Sequence, residues 1–181
     1  MGSEMCIRDS QPNVSSLSNI GPEKKPDIRI VGSLKLNAFS TPVDETFADQ
    51  LRVAAGSRPI VLAASTHSPE EQILLKASQE VVRAGYPHLL IIAPRHGDRS
   101  QEIARLMPQA AHRSKNQLPL LGDNHFLADS FGEMSSLVTA ADIVILGGSF
   151  VPKGGHNPLE IAALSTPLIT GPSQFKNKVE F

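Results

Sequence analysis

Three groups of residues in this sequence have types and spacing suited to a ligand, the first two to an anion. The first is Gly147-Gly148-Ser149-Phe150-Val151-Pro152-Lys153-Gly154-Gly155-His156-Asn157-Pro158-Leu159-Glu160. Its four glycines within nine residues let the backbone take positive φ and approach a ligand closely. Asn157, Pro158 and Glu160 suit the N-cap, first and third positions of a helix start, whose free N–H groups favour a phosphate. The second is Arg95, just past the apolar run His88–Ala93, whose guanidinium can fork onto phosphate oxygens. The third is Ser65-Thr66-His67-Ser68-Pro69-Glu70-Glu71. Ser68, Pro69 and Glu71 fit a helix start there and leave His67 without a structural task. Plainer roles exist for the others: Glu160 as a cap alone, and Arg95 as the ion-pair partner of a carboxylate such as Asp98.

These groups need strands and helices to carry them. Pro59–Ala64, His88–Ala93, Ile143–Leu146 and Pro167–Thr170 are apolar runs of the kind buried on both faces of a parallel sheet. Phe126–Ala128 within Asp123–Asp129 is a further strand, and Leu118–Leu121 a short one. A helix after Ser68 is expected to turn Ile73, Leu74, Ala77, Val81 and Val82 inward. A second, Asp98–Met107, turns in Ile103, Leu106 and Met107. A third follows Asp129-Ser130-Phe131-Gly132-Glu133-Met134 through Leu137, Val138 and Ala141, and a short one spans Ile161–Leu164. The pattern is α/β. The candidate residues stand at C-terminal strand ends and helix starts, where open α/β sheets bind ligands.

Composition narrows the function classes. The chain has 181 residues, 40% hydrophobic and 19% charged, enough for one domain with a core. A net charge of −1 and 4% aromatic residues argue against a nucleic-acid surface. The single cysteine, Cys6, forms no internal disulfide or zinc cluster and is expected in a reducing compartment. No apolar run reaches bilayer-spanning length, and metal-ligand spacing is missing. Residues 1–26 lack apolar periodicity and read as a tail or linker, expected to be disordered. Met1–Ser10 is set apart from the fold. Asp27–Lys35 then alternates like a strand up to Gly32.

The string G-G-S-x-x-P-x-G-G-H-N-P-L-E, as it stands in Gly147–Glu160, resembles a signature of the 3-deoxy-D-manno-octulosonic acid (Kdo) transferases. Other blocks resemble the same family in order: S-T-H-x-x-E-E at Ser65–Glu71, A-P-R-H at Ala93–His96, and D-S-F-G-E-M at Asp129–Met134, where Ser130 replaces the family's Thr. G-P-x-x-x-x-N at Gly171–Asn177 is close to a shorter-spaced family block. Ile30–Lys35 is a weaker match, with Ser33 in place of Asn. The resemblance implies a Rossmann-like parallel sheet with helices on both faces, the C-terminal, donor-binding domain of a GT-B glycosyltransferase over residues 27–181.

By residue, the resemblance implies that Pro94 and Arg95 contact the CMP phosphate region. Gly132, Glu133 and Met134 offer backbone groups to the nucleotide. Asn157, Pro158, Leu159 and Glu160 meet the ribose and phosphate. Ser65, Thr66, His67, His96, Gly148, Ser149, Gly155 and His156 form a second rank near sugar or phosphate. The donor is CMP-Kdo, the acceptor a lipid A precursor, and no cofactor or metal is implied. Intact members supply an acceptor domain and the catalytic carboxylate base from an N-terminal half that this sequence does not include. The chain therefore reads as a fragment, truncated at its C-terminus, that recognises CMP-Kdo without transferring it. The whole enzyme is expected to sit peripherally on the cytoplasmic face of the bacterial inner membrane.

Rival patterns fail or stay open. Gly147-Gly148-Ser149 begins a G-x-S-x-G nucleophile turn, but Val151 takes the last position and Pro152 follows. Lys153 lacks the neighbours of a P-loop lysine, and no G-x-G-x-x-G occurs. A GT-B enzyme using a UDP-sugar shares the architecture, and a non-catalytic nucleotide-binding module remains an alternative.

Overall fold

Runs such as Leu89-Leu90-Ile91-Ile92-Ala93 carry no polar face, so they are stable only where both sides of a sheet are covered. In the computed structural model, which describes residues 5–7, 28–30 and 42–176, they form the middle of a six-stranded sheet. The chain divides into two units, Met1–Ser40 and Thr41–Phe181, so the division falls later than the composition shift near residue 26. In the first unit, β1 (Met5–Ile7) pairs in parallel with β2 (Ile28–Ile30). β1 lies within the segment read as a tail. Gly32–Lys35 and Asn177 fall outside the described residues.

The second unit runs α1 (Glu45–Ala55), β3 (Ile60–Thr66), α2 (Glu70–Arg83), β4 (Leu89–Pro94), α3 (Ser100–Leu106), β5 (Ala111–His112), β6 (His125–Leu127), α4 (Met134–Ala140), β7 (Ile143–Leu146), α5 (Leu159–Ala163) and β8 (Leu168–Thr170). The strand order is β5-β6-β4-β3-β7-β8, and every pairing is parallel. From β3 the chain winds outward through β4 to β6, then crosses back to place β7 on the other side of β3. Right-handed crossovers therefore put α2 and α3 on one face and α4 and α5 on the other. The Rossmann-like parallel sheet with helices on both faces is present.

Strand alternation sorts the core into two layers. Leu62, Ala64, Leu89, Ile91, Phe126, Val144 and Leu146 pack against Phe47, Leu51, Leu137, Val138 and Ile161 of α1, α4 and α5. Ala63, Leu90, Ile92 and Leu127 pack against Leu75, Ile103 and Met107 of the α2 and α3 side. On that second face α2 packs on β3. Val61 and Ile145 stay half-buried beside it, and they line an apolar groove of about 500 Å³ with Leu74, Ala77, Val81 and Tyr86.

The buried face of α2 differs from the expected one. Of the stripe expected to face inward on α2, Ile73 and Val81 are exposed, while Glu70, Glu71, Leu75 and Ser78 are buried. Helix rotation is decided by what the two glutamates bind, described below. Leu106 of α3 is likewise exposed, and Ile103 and Met107 fill the core. Leu118–Leu121 is not a strand. Asp123 accepts the Leu120 N–H at 2.8 Å and closes a turn, leaving Leu120 and Leu121 exposed, while β5 supplies the sheet edge.

Candidate functional site

Three loops meet at the C-terminal ends of the strands. The first leaves β3, whose pairing with β4 shifts register between Ala64 and Thr66 at Ser65, a residue with φ of +55°. That bulge presses on the β7 loop: a Cβ on Gly147 would stand 2.5 Å from the Ser65 carbonyl oxygen and 2.6 Å from Thr66 Cα. Only glycine fits there. Thr66 is fully buried, and His67 follows at the surface.

The turn into α2 departs from the predicted cap. Glu70, not Glu71, closes it, taking the His67 N–H on Oε2 at 2.9 Å while its own N–H donates to the His67 carbonyl at 2.6 Å. No side-chain cap comes from Ser68, and the helix follows directly on Pro69. Glu71 instead receives a two-pronged pair from Arg99, at 2.7 and 3.1 Å. Burial would raise the Glu71 pKa, but those hydrogen bonds win and hold it below the ordinary value.

The glycine-rich loop folds back on this turn. Gly148, at φ +66°, donates to Glu70 Oε2 at 2.8 Å, and Phe150 donates to Oε1 at 3.0 Å. Gly155 N–H then returns to the Gly148 carbonyl at 2.8 Å. Ser149 is fully buried; its hydroxyl donates to the Leu146 carbonyl and accepts from Gly171 N–H at 2.8 Å. The loop's return sets His156 against His67, with Nε2 to Nε2 2.9 Å and the rings stacked within 9°. His96 meets His67 edge-on, 5.6 Å between centroids. Burial, aided by His67 and Arg95, pushes the His156 pKa down to about 4, and burial lowers that of His67 as well. Both rings are therefore neutral near pH 7, and one Nε2–H donates to the other ring.

The third loop carries Glu133. Its carboxylate is held by Arg113, whose Nε lies 2.9 and 3.0 Å from the two oxygens, and by the Ser130 hydroxyl. Arg113 also lies over the Phe47 ring, 4.3 Å from its centroid. Glu133 is thus occupied from the side, with its pKa lowered chiefly by Arg113.

A cavity of about 170 Å³ opens between these loops, lined by Ser65, Arg95, Met134, His156, Asn157 and Glu160 above Ala64, Leu146 and Ile161. It lies where the strand order reverses between β3 and β7, the switch point at which doubly wound sheets bind ligands. The larger groove beside α2 includes Ser57, Pro59 and Pro87 at the N-terminal strand ends, where this rule places no ligand. Arg95 is exposed at the cavity, and among the described residues its guanidinium carries no hydrogen bond or ion pair; Asp98 does not take it. Asn157 Oδ1 accepts the Leu159 N–H at 3.1 Å, an i to i+2 turn. Pro158 takes the cap position, so the expected Asn157–Glu160 capping box is not formed, and Glu160 lines the cavity.

Of the residues singled out from sequence, Ser65, Arg95, Met134, His156, Asn157 and Glu160 converge on one cavity, with His67, His96 and Gly148 around its histidine rim. Pro94 ends β4 next to Arg95, and Gly155 fixes the approach to His156. Gly132, Pro158 and Leu159 shape the loops that carry Met134, Asn157 and Glu160. The buried hydroxyls of Thr66 and Ser149 point into the fold. Sequence reasoning missed the joining role of Glu70 and the supports Arg99 and Arg113. The doubled Glu70-Glu71 was the one available signal, since a single cap needs only one carboxylate. Among the described residues, no three His, Cys, Asp or Glu side chains converge to hold a metal.

The fold and this cavity define a doubly wound α/β domain with its candidate ligand site at the switch point. No protein-family model matches the chain. It is similar to 3-deoxy-D-manno-octulosonic acid transferases of Haemophilus influenzae, 37% identical over 97% of this chain and 42% of the relative, and of Bordetella pertussis, 34% identical over 82% and 36%. Among solved structures it is similar to the C-terminal CMP-Kdo binding domain of WaaA from Acinetobacter baumannii, with TM-score 0.67 and 32% identity over 75% of this chain and 74% of that one. The chain belongs to the Kdo transferase family. It spans about two fifths of the length of the curated relatives named here.

Proposed function

We propose that this chain is the donor-binding part of a Kdo transferase, holding CMP-Kdo at the cavity between β3 and β7. The observation that carries the reading is the convergence of Arg95, His156, Asn157 and Glu160 on that cavity, with an unpaired guanidinium facing it. The solved neighbour, named as a CMP-Kdo binding domain, supports the choice of nucleotide sugar. Arg95 meets the phosphate diester with its fork of N–H groups, and Glu160 accepts from ribose hydroxyls. Backbone groups at Gly132–Met134 contact the nucleotide, on a loop that Arg113 and Glu133 hold in place.

In the longer protein, a carboxylate outside this chain deprotonates an acceptor hydroxyl of a lipid A precursor. That oxygen attacks the anomeric carbon of Kdo as CMP departs. The contribution of these residues is to stabilise charge on the leaving phosphate through Arg95 and the loop N–H groups. The chain alone therefore binds donor without transferring it, needs no cofactor, and works at the cytoplasmic face of the inner membrane. Among the described residues, no helix is long and apolar enough to cross a membrane.

Calorimetric titration of the chain with CMP, using UMP as control and Arg95→Ala alongside, tests this. Binding of CMP in preference to UMP, weakened in the variant, is the expected result. A folded chain that binds neither, or prefers UMP, overturns it.

A further inference from the structure

We infer that Glu70 is the positioning residue of the donor site, the carboxylate that fixes the His67–His156 pair by clamping two loops at once. Glu70 is 1% exposed, yet it is not spent as an ordinary helix cap. Of its three bonds to backbone N–H groups only the one from His67 is local. Those from Gly148 and Phe150 cross 78 and 80 residues of chain. A buried carboxylate is costly unless its lone pairs are filled, and here three backbone N–H groups fill them.

The clamp acts through geometry that can be followed bond by bond. Oε2 receives His67 N–H and Gly148 N–H together, so the residue carrying one imidazole and the turn beneath the other share a single oxygen. Gly148 in turn holds Gly155, the residue before His156. The space over Gly148 is filled by both rings: a Cβ there would stand 2.9 Å from His156 Nε2 and 3.4 Å from His67 Cδ2. A shift of the Gly148 turn therefore moves both histidines relative to Arg95 and the cavity. The glycine loop has a separate anchor, since Ser149 ties it to Leu146 and Gly171.

The test rests in part on the donor-binding reading and is arranged so the two can fail apart. The whole chain, wild type and Glu70→Gln, is titrated with CMP, and the imidazole nitrogens of His67 and His156 are followed by magnetic resonance. Glutamine keeps the size but turns an amide NH2 toward backbone donors. A folded Glu70→Gln that binds CMP at least tenfold more weakly, with changed signals for the histidine pair, is the expected result. Glu70→Asp, which keeps the charge but is too short to span both loops, is expected to show the same changes to a smaller extent, and it decides the matter where Glu70→Gln does not fold. Lower melting temperature with CMP affinity within twofold and unchanged imidazole signals would reduce Glu70 to a structural cap and overturn the inference. Should the wild type bind no CMP, the donor reading fails, while the imidazole signals still decide the clamp.

Discussion

The Nε2 atoms of His67 and His156 lie 2.9 Å apart although 89 residues separate them in the chain. Two neutral rings make one good hydrogen bond at that distance, but two protonated rings would set like charges together. The His156 pKa of about 4, against 6.5 for the free side chain, expresses burial first and this neighbour second.

The sign of the resulting pH dependence is fixed. Between about pH 6.5 and 4 the unfolded chain binds a proton at His156 that the folded chain refuses, so stability is full above 6.5 and falls as the pH drops toward 4. The lowered pKa of His67 acts in the same direction. Together with partial solvent screening the loss is on the order of 1–3 kcal/mol. Urea denaturation at pH 7 and pH 5 measures it, and His156→Gln is expected to flatten the difference. An equal difference in both proteins would remove His156 as its source.

Gly147→Ala is expected to destabilise the chain by about 2–4 kcal/mol, because the new Cβ meets backbone rather than a yielding side chain. Thermal denaturation reads this directly. A variant that melts with the wild type would show that the bulge at Ser65 relaxes at little cost.

Arg95→Ala should behave in the opposite way. Its guanidinium supports nothing among the described residues, so stability stays within about 0.5 kcal/mol of wild type. CMP affinity is expected to fall at least tenfold. Loss of stability with unchanged affinity would assign Arg95 to the fold.

Glu133→Ala leaves Arg113 against Phe47 without its carboxylate, at a cost of about 1–3 kcal/mol at pH 7. Because the folded pKa of Glu133 is lowered, this support is present above the unfolded value of 4.5 and is lost as the pH falls below it. Melting temperatures of wild type and variant should therefore converge on acidification; a constant gap would argue against the ion pair.

The groove beside α2 leaves Val61, Leu74, Val81 and Ile145 in reach of solvent. An environment-sensitive apolar dye is expected to bind the folded chain, and Val81→Glu to reduce that binding with little change in stability. Equal fluorescence from both would place the dye elsewhere.

Sequence alone determined the parallel α/β sheet, the positions of β3, β4, β6, β7 and β8 to within a residue or two, and the segments that carry Ser65, Arg95, Met134 and Glu160. Uniformly apolar runs and glycine-rich strand ends report local requirements, and local requirements are written in neighbouring residues. What the tertiary structure decided is which of two adjacent glutamates does what. Glu70 and Glu71 have the same chemistry and both suit a helix start, and their difference arises only because Gly148 and Phe150 approach one while Arg99 approaches the other. The same holds for α2, whose buried face follows those partners rather than its apolar stripe. His67 and His156 became a pair for that reason too: a hydrogen bond across 89 residues depends on strand order, which no single stretch of this sequence contains.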